Sequence, residues 1–217
     1  MRKEKFENGE IYHIYNQGVD KRDITLDRHD SDRFVQGLQE FNTTDPIGSL
    51  HWNACKVRKL SDLVAKKLVE IIAYCLNPNH FHLILRQIHK NGISIFLKAQ
   101  CGGYSSYFNK RHQRGGTLFR GPFKAKWIED KDELLYKSVY VNRNNEVHKI
   151  SDQVAKERVR RSWEEYMEGK GGLCVQMPVL KEFNGTDAYI HYANSTLKEI
   201  REAKQLEKEL KSTEFED

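Results

Sequence analysis

The stretch that most restricts how this chain can fold runs from Val69 to Leu85. Val69-Glu70-Ile71-Ile72-Ala73-Tyr74-Cys75-Leu76 and Leu83-Ile84-Leu85 are apolar and rich in β-branched residues, and Asn77-Pro78-Asn79 interrupts them. Apolar runs bounded by turn residues read as two strands joined by a turn. His80-Phe81-His82 opens the second strand. Side chains alternate along a strand, so the two histidines leave one face while Phe81 enters the core behind them. Two imidazoles about 7 Å apart on a rigid strand can share one metal ion. One satisfied and one exposed histidine on a half-buried strand would give the same pattern.

The charge around this hairpin is one-sided. No acidic residue occurs between Glu70 and Glu129, whereas Arg86, Lys90, Lys98, Lys110, Arg111, Arg114, Arg120, Lys124 and Lys126 all do. One sign of charge over that length predicts a positive surface that includes both histidines. A polyanion is its natural partner, and nucleic acid is the commonest polyanion. The alternative is a basic, solvated face with no ligand. Net charge is only +5, so the distribution carries the argument rather than the total.

At 217 residues the chain can build one sizeable domain, or one domain with an appendage. With 38% hydrophobic and 31% charged residues it suits a water-soluble globule. No apolar run approaches a membrane span, so no membrane partner is expected. The start, Met1-Arg2-Lys3-Glu4-Lys5, leads into no hydrophobic segment, and the expected location is the cytoplasm, at the bacterial nucleoid when bound to DNA. Cys55, Cys75, Cys101 and Cys174 form no CxxC pair, which argues against a zinc knuckle or a disulfide framework.

In chain order, Glu10 to Asn16 alternates and predicts a first strand closed at Gln17-Gly18. Asp30 to Phe41 places Phe34, Leu38 and Phe41 at helical spacing. Leu50 to Val57 is β-like, and Ser61-Asp62 can cap a short helix ending at Leu68. Ile93, Phe96, Leu97, Gln100, Tyr104, Tyr107 and Phe108 form one stripe of a long helix, in which Gly102-Gly103 permits close packing or a kink. Gly115 to Ile128 reads as a glycine-rich loop and a strand, with basic and aromatic residues interleaved. Such a segment suits phosphate contact and base stacking, or serves as an ordinary hairpin. Asp130 or Asp132 caps a helix that runs to about Asn144. From Ser151 the sequence becomes charged and helical, so the expected division is a domain over 1–150 and a small helical C-terminal extension over 151–217.

Tyr140 and Asn144 are four apart, one turn from each other on a helix. Asn144 can add an oxygen ligand to the imidazoles of His80 and His82. Mixed nitrogen and oxygen ligation suits manganese well and magnesium acceptably, and no third histidine or cysteine stands at the spacing of a closed zinc site. By spacing alone Tyr140 reads equally as a core tyrosine. A free tyrosine hydroxyl is a poor nucleophile, which a neighbouring divalent metal would remedy.

The chain resembles the HUH-type single-strand transposases, and within them the REP-associated tyrosine transposases. The matching segments occur in family order: Tyr12-His13-Ile14-Tyr15-Asn16-Gln17-Gly18, Ala73 to Leu83, Tyr104 with Tyr107-Phe108-Asn109, Gly116 to Lys124, and Tyr140-Val141-Asn142-Arg143-Asn144. The resemblance implies an α+β fold, a ferredoxin-like antiparallel sheet with helices on one face. It implies that His80 and His82 bind a divalent metal ion (Mg2+ or Mn2+) with Asn144 as third ligand, and that Tyr140 is the nucleophile. Single-stranded or hairpin DNA is the expected partner, with Arg111, Arg114, Phe119, Arg120, Lys124, Lys126 and Arg143 as its expected contacts, in a monomer or homodimer. The family's Asn-Pro is Asn144-Asn145 here, its Asn-Arg-Gly is Asn16-Gln17-Gly18, and its glycine-loop tryptophan is Phe119. These features together predict a metal-dependent single-strand endonuclease and strand transferase working through a 5′-phosphotyrosine. A non-catalytic nucleic-acid-binding regulator and a water-using nuclease are the rival readings.

Overall fold

The computed structural model describes residues 5–45, 47–48, 50, 66–169 and 171–213. The first strand, β1, spans Ile11–Gln17, and helix α1 spans Arg28–Glu40. The Asp27 side chain caps α1 by accepting from the Asp30 backbone N–H at 3.0 Å. Strands β2 (Val69–Leu76) and β3 (His80–Gln87) form the hairpin around Asn77-Pro78-Asn79. Helix α2 (Gly92–Arg111) is continuous through its glycine pair. The Phe41 ring lies where a Cβ on Gly103 would stand, so that glycine serves close packing and not a kink.

After α2 come β4 (Lys124–Trp127) and α3 (Lys131–Asn142), the latter capped by Asp130, which accepts from the Glu133 N–H at 2.8 Å. Short helices α4 (Asn144–Val147) and α5 (Asp152–Arg158) lead to β5 (Arg160–Arg161). Helices α6 (Trp163–Glu168), α7 (Met177–Leu180) and α8 (Thr186–Thr213) complete the chain. The β-like run after Leu50 and the helix expected at Ser61-Asp62 lie outside the described residues. Among the described residues no helix is long and apolar enough to cross a membrane.

The strands pair antiparallel in the order β4-β1-β3-β2-β5. The succession β1-α1-β2-β3-α2-β4 with β1 and β3 central is the ferredoxin-like arrangement expected from the resemblance. Phe81, Leu83 and Leu85 of β3 join Tyr12 and Ile14 of β1 in a core with Phe34, Leu38, Phe96, Leu97 and Tyr104 from α1 and α2. The opposite face is covered as well, which corrects the expectation of helices on one face. There Ile72, Ala73, Cys75 and Ile84 pack against Val139 and Val141 of α3, Trp163 and Tyr166 of α6, and Tyr189 and Leu197 of α8. The residues after 150 thus share a core with the central strands, because the apolar side chains of β2 point both ways.

Strand β5 falls inside the segment read as purely helical. Arg160 and Arg161 pair with Leu76 and Cys75, and their side chains are tied to Asp32 at 2.7 Å and to Glu146 at 2.8 Å. Two arginines carry no strand signature of their own. Their partners, distant in sequence, hold them at the sheet edge.

Candidate active site

Register decides which side chains meet. Tyr15 lies opposite His82 and Gln17 opposite His80 across β1 and β3, while Lys124 and Lys126 of β4 lie opposite Tyr15 and His13. Directly paired residues share a face, so His13, Tyr15, His80, His82, Lys124 and Lys126 all leave the sheet on one side. Helix α3 crosses β2 and β3 on that side and brings Tyr140. A cavity of about 240 Å³ results, lined by Tyr15, Asn16, Gln17, His80, His82, Arg120, Lys124, Tyr140, His148 and Lys204. A larger cleft of about 780 Å³ beside α4 and β5 is lined by Arg161 with its partners Glu146 and Glu164, and by Arg160, which pairs with Asp32 outside the lining.

The protonation of His80 follows from its neighbours. Its Nδ1 lies 2.6 Å from the Asn79 side-chain oxygen, an acceptor, so the ring proton sits on Nδ1. Nε2 then carries a lone pair, and it faces Asn144 Oδ1 at 2.9 Å, a second lone-pair atom. The two share one amide donor, Asn77 Nδ2, at 2.9 Å from His80 Nε2 and 2.7 Å from Asn144 Oδ1. Two lone-pair atoms converging at this distance, one on an imidazole whose other nitrogen is pinned to a carbonyl, form a donor set that fits a cation. Asn144 is fully buried and its Nδ2 has no partner, so its amide is not placed there for hydrogen bonding alone.

His82 contributes from the same strand. Its Nδ1 lies 2.9 Å from Nε2 of His13, a buried residue whose own Nδ1 has no partner. A proton on His82 Nδ1 leaves its Nε2 lone pair free to bind. Burial holds His82 well below the ordinary value of 6.5 and also lowers His80. Both are neutral at pH 7, the state that ligates metal. Among the described residues no group of three His, Cys, Asp or Glu is arranged to hold a metal, and a set at this site would draw on the oxygen of Asn144. His80, His82 and Asn144 fit a divalent ion of mixed nitrogen and oxygen preference.

Tyr140 is half-buried, its ring edge-on to His82 with centroids 5.4 Å apart. Burial raises its hydroxyl above the usual value of 10, and the nearby Asn144 amide acts in the other direction. The helix ends at Asn142 rather than near Asn144. Arg143 leaves helical geometry (φ −115°, ψ 24°), and Asn144 opens α4, whose turn directs its amide to His80. Of the other tyrosines singled out in the sequence, Tyr104 bonds the Ile24 carbonyl at 2.6 Å and Tyr107 bonds Asp30 at 3.0 Å. Tyr136 does not line the cavity, whereas Tyr15 does.

The seven expected DNA contacts divide. Arg120 and Lys124 line the cavity, and Lys126 is exposed two residues along the same strand face. Arg111 lies on the far side of the sheet, paired with Asp27 at 2.8 Å and Asp30 at 2.5 Å. Arg143 is tied to Glu146 at 2.5 Å and stands 4.7 Å over the Trp163 ring. Arg114 bonds Asn109 at 2.5 Å and the Thr117 carbonyl at 3.2 Å, holding the loop after α2. Phe119 is 8% exposed and edge-on to Phe81, so it belongs to the core and is not displayed for stacking. Sequence reasoning missed His13, Tyr15, His148 and Lys204. The His13 and Tyr15 alternation was visible in β1, but their pairing with β3 was not.

Residues 54–144 match the family model described as "Transposase IS200 like". No curated protein matches the chain. The solved structure of a REP-associated tyrosine transposase bound to a REP hairpin aligns with a TM-score of 0.50 at 11% identity, covering 80% of this chain and 88% of that one. At that identity the likeness is one of fold, an antiparallel sheet with packed helices. The family match spans His80, His82, Tyr140 and Asn144.

Proposed function

We propose that this protein is a metal-dependent single-strand DNA endonuclease and strand transferase whose nucleophile is Tyr140. The observation that carries the reading is the convergence of His80 Nε2 and Asn144 Oδ1 at 2.9 Å in a site whose cavity also presents Tyr140. A divalent ion held by His80, His82 and Asn144 would polarise the scissile phosphodiester and neutralise its developing charge. Tyr140 Oη attacks phosphorus, the bond from phosphorus to the 3′ oxygen breaks, and the phenolic proton passes to water. The leaving 3′ oxygen takes a proton from water, and the 5′ phosphate stays on Tyr140. A second 3′-hydroxyl reverses the step and joins strands without ATP. Arg120 and Lys124 hold flanking phosphates at the mouth of the cavity. The DNA is single-stranded at the cut, since a cavity of about 240 Å³ receives one phosphate and its sugar, not a duplex groove.

The test is incubation with Mn2+ and end-labelled single-stranded DNA carrying a hairpin from the protein's own genomic flank, followed by a denaturing gel. A covalent adduct is expected with the natural protein and with Tyr15→Phe, and none with Tyr140→Phe. Cleavage without an adduct would establish a water-using nuclease instead. Tight binding without cleavage would establish a regulator.

A further inference from the structure

The position of Lys204 assigns the C-terminal helix a part in the chemistry. We infer that Lys204 is a catalytic residue whose ammonium group contacts the scissile phosphodiester beside Tyr140. The inference rests on the reading of Tyr140 as nucleophile. Lys204 lines the cavity, with Nζ 5.2 Å from the Tyr140 ring centroid and 3.1 Å from Nε2 of His148. The His148 ring in turn packs against His80, centroids 4.7 Å apart. The ammonium is thereby held between the nucleophile and a metal-ligand candidate.

Glu207, one turn further along α8, is the carboxylate that acts on the charge of Lys204, from outside the cavity lining. Lys204 makes no ion pair among the described residues, and no carboxylate lines the cavity, which holds Arg120, Lys124 and Lys204 as its three cations. One turn earlier on α8, Arg201 bonds the Glu146 carbonyl at 3.1 Å and approaches its carboxylate at 3.9 Å. The same helix face therefore carries an arginine held against a carboxylate and a lysine held only by a neutral imidazole. Lys137 also stands over the Tyr140 ring, at 5.7 Å, but it does not line the cavity. Only a lysine facing the cavity can reach a phosphate bound there.

In the step described above the bond from Tyr140 Oη to phosphorus forms as the bond to the 3′ oxygen breaks. Lys204 neither gains nor loses a proton. It donates a hydrogen bond to a non-bridging phosphate oxygen, a contact that strengthens as charge develops.

The experiment compares the natural full-length protein with Lys204→Met, Lys204→Arg and Lys137→Met. Single-turnover adduct formation on hairpin-flanked single-stranded DNA is measured beside DNA affinity by anisotropy and Mn2+ affinity by calorimetry. Lys204→Met should slow adduct formation by about 10²-fold or more, the usual loss of one transition-state donor. Its DNA affinity should change less than about tenfold, because other cations supply most phosphate neutralisation, and its Mn2+ affinity should stay level. Lys204→Arg should recover at least part of the rate, and Lys137→Met should react normally. A Lys204→Met rate within threefold of natural, or faster, overturns the inference and leaves Tyr140 standing. Parallel loss of Mn2+ binding also overturns it, by making Lys204 a structural support. Should the methionine variant melt early, Lys204→Gln decides by the same readings. No adduct with the natural protein overturns both readings together.

Discussion

Two clusters on opposite faces of the sheet contain the same kinds of side chain and end differently. Beneath α1 and α2, the fully buried Asp30 bonds Arg111 at 2.5 Å, His112 at 2.9 Å, Tyr107 at 3.0 Å and the Leu26 N–H at 2.9 Å. Asp27 adds a two-pronged pair with the same guanidinium, both contacts 2.8 Å. On the other face, His80, His82, Tyr140, Arg120, Lys124 and Lys204 surround a cavity that no carboxylate lines. The first cluster is closed and fastens α1 to α2. The second is open and waits for charge from outside. Histidine, tyrosine and arginine close together are thus no sign of a site until their counter-charges have been sought.

The largest contrast should come from the histidines proposed as ligands. His80→Ala or His82→Ala is expected to slow adduct formation at least about a thousandfold, equivalent to about 4 kcal/mol of transition-state stabilisation. Melting temperature should hardly move in His80→Ala and should fall modestly in His82→Ala, which empties a buried position. A natural rate in either variant, after chelation and restoration of Mn2+, would break the distinction between the faces. Phe119→Ala tests the buried side: loss of about 3–5 kcal/mol of folding stability in urea is expected for a core aromatic. Were the ring instead stacked on a base, stability would hold and DNA affinity would drop by about 1–3 kcal/mol.

Asp30→Asn should cost about 3 kcal/mol of stability by leaving Arg111 short of a counter-charge, with adduct formation per folded molecule unchanged. A rate that falls with stability would join the two clusters. A milder effect concerns acid. His13 is lowered from 6.5 to about 3, chiefly by burial and then by the charges of Lys137 and Lys126. Below pH 6.5 the unfolded chain takes up a proton that folded His13 refuses, so stability present above 6.5 is lost as pH falls toward 3. Urea midpoints of the metal-free protein should fall between pH 7 and pH 5, and His13→Phe should flatten that dependence. The smallest effect is on salt. Arg120→Ala or Lys124→Ala should each reduce the slope of log affinity against log salt by about 1, and Arg111→Ala should leave it alone.

How far the sequence could be read depended on the distance between partners. Alternation placed His80 and His82 opposite Phe81 without help, because a strand's faces are set by neighbours two apart. Tyr140 and Asn144 were likewise within one turn, although the break at Arg143 was invisible. The partners of Arg111 could not be read, because a run of positive charge along the chain says nothing about which carboxylates fold onto it, and the burial of Phe119 depends on the distant Phe81. Asp27 and Asp30 reach Arg111 from another helix. Lys204 lay in a charged helix where every lysine looked equally solvated, and only packing on the sheet singled it out. Arg160 and Arg161 became a strand through Leu76 and Cys75, which no local pattern announces.

The two histidines sit on β3, a strand paired on both sides, by β1 and by β2. A slip of one residue in either pairing would exchange the faces, turning Phe81 toward the cavity and both imidazoles into the apolar layer beneath α1. Core and chemistry are therefore proofread by the same event. A chain that has mispaired cannot assemble the histidine pair, and a chain that can present it has already finished folding. For the strand-breaking activity proposed above, this would keep half-made copies harmless.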